Sequence, residues 1–575
     1  MAQTSSNIDN MVSFPTLDLL LLTFNCAKAP INIPDFAGHL QHALSDHSAV
    51  SNTSLLPDLV VFSLQEVAPL GHAFAGSYFL NPFLIRFGDA LSQAATQVGG
   101  YEFGGDDADA DGDAGATAAQ TQQQGHARTS KGPKKTYHFV HQAHVGMTAI
   151  LMYARDPSAI HNIQVAHCGF GVADMGNKGA VGIRIAYEKA AGDGTSESTP
   201  SELTFVATHL AAMEWNVRRR NANWRSIVAG LTFGNPNDVL VDVTAREAAN
   251  ALKRDRQGRN HDEAASTPRT AEEEAEAAAA DAAGDDAWLL LGQHQHEIDV
   301  RRQLHDLSIF RPDSLLFVAG DLNYRIGDQR PPADAEFPTK STWQKFLKRD
   351  QLTEERLAGR TFHGMSEAPI TFPPTYKYDV LSADDIAGGA VPYNSDEIRE
   401  YEESGSSSDS AKPVPWKYAS HRWPSWCDRV LYLDVPIWVK SQADPDSTET
   451  PEVKVTSYKS LPLMHTSDHQ PVYFRAQVPL LGKPQGHPEE DVVVGDGVDG
   501  GDGESADSDL RAVDPRVRLP VAIDIDAWAR RARARNRERL AGGGMLLFNT
   551  RAGAVVMVTT VMVVVGLYWA WVGLL

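Results

Sequence analysis

Cysteine is scarce. The 575 residues hold three, Cys26, Cys168 and Cys427, and no two are close in sequence. An odd, scattered set builds neither a disulfide framework nor a zinc cluster, and it suits a reducing compartment. Positive charge is also short. Lys and Arg number 52 against 74 Asp and Glu, a net charge of −22. Affinity for a phosphate backbone comes mostly from Lys and Arg, so a general nucleic-acid binder is excluded. The first ten residues carry no Lys or Arg, and the apolar run Leu19–Leu22 is too short for a secretory signal, so it reads as a buried strand. No G-x-x-x-x-G-K-[ST] loop occurs, which leaves phosphoryl transfer from ATP unsupported. No repeat of solenoid or propeller period is present.

Apolar residues are not lacking. At 42% of the chain they suffice for a large core, and the length allows two to four domains. Short runs bounded by turn residues read as strands: from Leu59, Val145, Ala180, Leu203, Leu315, Arg429 and Pro471. Several are apolar throughout, as expected of strands buried on both faces. Helical stretches, Trp215–Leu231 and Ile298–Ile309 among them, lie between. This alternation predicts one large α/β sandwich over residues 16–480, interrupted by polar or low-complexity insertions at 104–131, 245–287 and 380–412. An acidic linker follows at 484–515, then a basic helix at 522–540.

Residues 552–575 contain no charge and are rich in Val, Leu and Met. At ~1.5 Å per residue they exceed the ~30 Å hydrocarbon core. Tyr568, Trp569 and Trp571 stand near the far end, and Arg551 and the Arg-rich 530–539 on the near side. Positive flanks stay cytosolic, so the pattern predicts a tail-anchored protein with its catalytic domain in the cytosol, on the endoplasmic reticulum or another endomembrane.

Polar residues gather at strand ends. Asn25 ends the first strand, Glu66 follows the second, and His209 ends the run from Leu203. Asp321 and Asn323 follow Gly320. Asp428 precedes Val430, and Asp468 and His469 precede Val472. Brought to one edge, such carboxylates and amides suit a hard cation such as Mg²⁺, which prefers oxygen ligands and shares substrate phosphate. An Asp beside a His could then serve a hydrolytic water. Cysteine-based phosphate chemistry fails a simple test. His167-Cys168 would need an Arg six positions on, and position 174 is Asp174, which would repel phosphate.

The ordered set LQEV (64–67), NKGAV (177–181), HLAA (209–212) with RNAN (220–223), GDLNYRI (320–326), FPPTYKYD (372–379), WPSWCDR (423–429) and SDHQPV (467–472) resembles the inositol polyphosphate 5-phosphatases. The Glu, the Asp-x-Asn and the Ser-Asp-His are shared with the DNase I-like superfamily. PTYKYD and the P-x-W-C-D-R element belong to the inositol branch. The resemblance implies a four-layer α/β sandwich of DNase I-like type, Mg²⁺ dependence, and removal of the 5-phosphate from phosphatidylinositol 4,5-bisphosphate or a related lipid. It implies Glu66 and Asn25 as metal ligands. It implies Asp321 as base, Asn323 as the residue positioning the water, and His469, oriented by Asp428, at the scissile phosphate. His209 and Asp468 match the remaining active-site positions. Tyr376 and Lys377 match contacts to a 4-phosphate, with Arg325 and Lys178 as further phosphate contacts. The partners implied are phosphoinositides and a membrane, not nucleic acid. The rival readings are an inactive phosphoinositide-binding scaffold and a phosphodiesterase or nuclease of the same superfamily.

Overall fold

In the computed structural model the described residues are 15–46, 56–102, 136–189, 200–241, 296–312, 314–404, 412–436, 439–440, 451–481 and 514–574. The expected insertions 104–131 and 245–287, and the linker 484–515 as far as residue 513, lie outside them.

Two sheets carry the domain. The six-stranded sheet runs, in spatial order, β12 (Lys454–Ser460), β13 (Val472–Pro479), β1 (Thr16–Asn25), β2 (Leu59–Gln65), β4 (Thr148–Ala154) and β3 (His138–Val145), and the five-stranded sheet β11 (Asp428–Leu433), β8 (Ser314–Asp321), β7 (Ser201–His209), β6 (Gly179–Tyr187) and β5 (Ile160–Gly169). In the first, β1 (Thr16–Asn25) and β2 (Leu59–Gln65) are parallel, flanked by β4 (Thr148–Ala154) and β13 (Val472–Pro479). In the second, β7 (Ser201–His209) and β8 (Ser314–Asp321) are parallel, with β6 (Gly179–Tyr187) and β11 (Asp428–Leu433) beside them. The strands read from sequence are all present, and Leu19–Leu22 lies buried inside β1.

The period of two in a strand decides what each residue meets. Leu19, Leu21 and Val61 face one core together with Phe205, Phe317 and Val430 of the other sheet. The alternate residues Leu20, Leu22 and Phe62 face outward, onto helices α1 (Ile33–Ser45) and α3 (Ser77–Glu102), where Phe36 meets Phe87 edge to face at 5.2 Å. Val206, Leu316 and Val318 face outward from the second sheet, onto Trp224 and Ile227 of α4 (Val217–Gly230). Helix, sheet, sheet and helix form the four-layer α/β sandwich expected. The same parity sends Asn25, His209 and Asp321 to the side between the sheets.

The strands not foreseen are mostly at or near sheet edges. β3 (His138–Val145), β5 (Ile160–Gly169) and β12 (Lys454–Ser460) are half-exposed and carry His, Gln and Lys, so no apolar run announces them. The run from Val145 is also divided: β3 ends there, and Gly146 turns the chain into β4 with φ 51°. The stretch 380–412, expected as a low-complexity insertion, holds two helices, Ala383–Ala387 and Ser395–Glu403, between the paired strands β9 (Tyr378–Val380) and β10 (Trp416–Tyr418). Tyr393 stacks on Trp416 at 4.7 Å, because the aromatic rings of this small sheet supply its core.

Beyond the linker, α2 (Leu70–Ala75) receives the basic helix α5 (Ala527–Asn549). A Cβ at Gly542 would stand 2.5 Å from the Ala75 nitrogen, so glycine permits the approach. Trp528 Nε1 donates to Thr232 Oγ1 at 2.9 Å. After Thr550 comes α6 (Arg551–Leu574), of which Arg551–Val572 is long and apolar enough to cross a membrane, with mean hydropathy 2.1 and only Gly553 buried among its described residues.

Candidate active site

Parallel pairing brings strand C-termini to one end of each sheet. Register places Asn25 beside Gln65, and Asp321 between His209 on one side and Asp428 on the other. The two sheets therefore deliver their terminal polar residues to a shared edge.

Asp321 sits at the centre. Asn25 Nδ2 donates to its Oδ2 at 3.0 Å, and His209 Nε2 lies 3.1 Å from the same oxygen. The Asn323 backbone N–H donates to Oδ1 at 3.1 Å. His469 Nε2 is 3.9 Å from Oδ2. Burial would raise the Asp321 carboxyl, but His209, His469 and Lys178 outweigh it and hold the group well below the usual carboxylate range. It is ionised at every working pH.

Asp428 and His469 form the second unit. His469 Nδ1 is 2.9 Å from Asp428 Oδ2, which also accepts the Thr375 hydroxyl at 2.7 Å. Burial disfavours the His469 cation, but Asp428 and Asp321 raise the imidazole to about 9. His469 is therefore an imidazolium at neutral pH. Asp428 shifts upward, through burial and the nearby Asp321 charge. His209 behaves oppositely: burial and Lys178 push it down, so it stays neutral.

Glu66 has φ 47°, which turns its side chain out of the end of β2. Lys28 Nζ pairs with it at 2.9 Å, and Lys178 Nζ stands 3.8 Å away while also touching His209. Burial would raise Glu66, but Lys178 and Lys28 hold it low. At the opposite side Tyr376 packs against His469 at 4.4 Å, and the Arg325 guanidinium lies over its ring at 4.3 Å. Lys377 is ion-paired to Asp468.

The sequence-read residues thus form one connected set, from Lys178 and Glu66 through His209, Asn25 and Asp321 to Asp428, His469, Tyr376 and Arg325. Asn323 faces differently from its expected role. Its side-chain oxygen accepts from Arg325 and its Nδ2 donates to the Leu210 carbonyl at 3.2 Å, so its backbone N–H is what serves Asp321. Three contributors went unread. Thr375 bonds Asp428, Ser467 donates to the Asn25 carbonyl at 2.6 Å and accepts the His469 N–H at 3.1 Å, and Lys28 pairs with Glu66. Thr375 and Ser467 lie inside quoted motifs, so the signal for them was present. Lys28 had none. Lys417 lies exposed on β10 opposite Asp379. Cys168 is half-buried in β5, and desolvation pushes its thiol up to about 12, which is poor nucleophile chemistry.

The carboxylates fit a hard cation. Glu66 and Asp321 offer oxygens, Asn25 turns its Nδ2 to Asp321 and its Oδ1 to the Ala27 N–H at 3.0 Å, and Asp428 Oδ1 is buried without a hydrogen-bond partner among the described residues. Asp321, Asp428 and His469 present ligand atoms within 4.8 Å of one another.

Fold and site together define a two-sheet α/β sandwich with a buried carboxylate–imidazole centre at the strand ends. The chain belongs to endonuclease/exonuclease/phosphatase family 2, whose model matches residues 22–475. It is 28% identical over 315 residues to the type II inositol polyphosphate 5-phosphatase 15 of Arabidopsis thaliana, covering 53% of this chain and 20% of that one. To inositol-1,4,5-trisphosphate 5-phosphatase 1 of Schizosaccharomyces pombe it is 25% identical, covering 57% and 18%. To human phosphatidylinositol 3,4,5-trisphosphate 5-phosphatase 2 it is 24% identical, covering 56% and 17%. The chain spans about a fifth of the length of these relatives. Among solved structures, the inositol polyphosphate 5-phosphatase domain of spSynaptojanin, with inositol (1,4)-bisphosphate and calcium, aligns over 81% of this chain and 85% of that one, at 20% identity and a TM-score of 0.43.

Proposed function

We propose that the chain is a Mg²⁺-dependent phosphoinositide 5-phosphatase, acting on phosphatidylinositol 4,5-bisphosphate or a related polyphosphoinositide at a cytosolic membrane face to which α6 tethers it. The observation that carries this reading is the line Asp428–His469–Asp321, with Tyr376 of the PTYKYD element packed on His469. The relatives named as inositol polyphosphate 5-phosphatases support it. Glu66 and Asn25 would hold the metal. When bound, it supplies positive charge to the phosphoryl oxygens.

The remaining chemistry belongs to side chains. Asp321 is ionised and accepts a hydrogen bond from the attacking water. The His469 imidazolium, fixed by Asp428, stabilises negative charge developing on the phosphoryl group. Lys377 and Tyr376 face the neighbouring phosphate, and Lys178 and Arg325 add charge to the site. Phosphate release from a panel of phosphoinositides, with and without Mg²⁺, tests the reading. Release from no member of the panel would overturn it.

Two outcomes follow from this arrangement. Activity should fall at alkaline pH with a midpoint near 9, because a raised pKa keeps the imidazolium below it and loses it above. Asp428→Asn should move that limb toward the ordinary imidazole range. A pH–rate profile flat to pH 10 would remove His469 from its role. Lys377→Ala should cost about tenfold in kcat/KM on substrates with a 4-phosphate and little on those without, since one charge-assisted contact is lost. Kinetics on the paired substrates check it, and equal losses would refute the assignment.

A further inference from the structure

The basic helix α5 touches the loop that carries Lys178. Glu538, only 4% exposed, accepts the Gly176 N–H with Oε1 at 2.7 Å. Its charge is balanced by Arg531, at 2.5 and 2.9 Å. Gly176 belongs to the loop between β5 and β6, residues 170–178. The Gly176 carbonyl is held too: the Met147 N–H donates to it at 3.3 Å. The loop is closed on itself by Phe170 N–H on the Lys178 carbonyl and Gly171 N–H on the Met175 carbonyl, each at 2.9 Å. One residue, Asn177, separates Gly176 from Lys178, whose ammonium meets His209 and Glu66. At the loop tip, Arg537 donates to the Ala173 carbonyl at 3.2 Å, where Ala173 and Asp174 have φ of 55° and 61°. Non-glycine residues at such angles persist only where their surroundings hold them.

We propose that Glu538 is a positioning residue of the hydrolytic site. Through its carboxylate on the Gly176 N–H, the helix leading into the apolar α6 holds the loop 170–178 and so sets Lys178 against Glu66 and His209. This rests on the 5-phosphatase reading above. A residue that merely anchored α5 would loosen the helix and leave Lys178 where it is.

The test uses the full chain in detergent with a water-soluble short-chain phosphoinositide. Glu538→Ala should lower kcat about tenfold, the scale of one well-placed polar contact. Glu538→Gln, whose amide oxygen still accepts the Gly176 N–H, should recover to within about threefold. In a Lys178→Ala background Glu538→Ala should cost nothing more, because residues acting as one unit are not additive. Trp528→Phe, which removes the docking bond of α5 to Thr232, should leave kcat unchanged. Hydrogen exchange across residues 170–178 should quicken in Glu538→Ala and not in Trp528→Phe. An additive loss with Lys178→Ala, unchanged loop exchange, or an equal effect of Trp528→Phe would overturn the proposal. If the wild-type chain releases no phosphate, the functional reading fails, while the exchange comparison still decides whether Glu538 holds the loop.

Discussion

Asp321→Asn should reduce phosphate release about a thousandfold, within the range assigned to a positioned acid or base. The replacement is nearly isosteric, and its amide can still meet Asn25 and His209. What it removes is the negative charge to which His209, His469 and Lys178 all turn. The attacking water then loses its acceptor, and His469 keeps only Asp428. The fold should survive, since Asp321 contributes no apolar burial and two like charges, Asp321 and Asp428, are paired in register across β8 and β11. Easing that repulsion offsets part of the lost hydrogen bonding, as happens where a site stores strain for function. Steady-state kinetics beside a thermal melt checks both halves. Activity within about threefold of wild type would remove Asp321 from this role, and a collapsed melt would place it in the structure instead.

Deleting 551–574 should move the chain from the carbonate-resistant membrane pellet into the supernatant almost completely. Val555, Val561, Met562, Leu567 and Trp569 are each more than half exposed, and no residue from Ala554 to Val572 is buried. A helix apolar all round with no protein cover is suited to hydrocarbon, where each Val or Leu gains roughly 0.3–0.6 kcal/mol. The truncated chain should keep its kcat on soluble short-chain substrate, because α6 meets none of the site residues. Its rate on vesicles should drop, since tethering confines the enzyme to the layer holding its substrate. Release of the full chain from membranes by alkaline carbonate would show that α6 packs against protein.

The two sheets were legible where strands are buried on both faces. β1, β2, β7 and β8 are nearly continuous apolar runs, and their terminal Asn25, Glu66, His209 and Asp321 stood out because a polar residue ends each run. β3, β5 and β12 were not, because an edge strand needs only one apolar face and shows His, Lys and Gln on the other. Thr375 and Ser467 sat in recognised motifs, but a hydroxyl gives no sign in sequence of which buried carboxylate or carbonyl it will reach. Asn323 lies beside Asp321, and which of its groups faces the carboxylate depends on a backbone φ of 57°.

By itself the sequence determined composition and period: an acidic chain with a large α/β core, a set of polar strand ends, and one uncharged run long enough for a bilayer. Each follows from local chemistry, the alternation of two along a strand and the absence of charge along a helix. The tertiary structure decided which ends meet. Parallel register set His209 beside Asp321 and antiparallel register set Asp428 beside it, giving neighbouring histidines opposite proton affinities: His469, facing Asp428 and Asp321, gains a proton, while His209, beside Lys178, loses one. It also decided that a basic helix far along the chain turns back, burying Glu538 against Gly176. No local pattern encodes that contact, because its energy comes from desolvated partners separated by 362 positions in the chain.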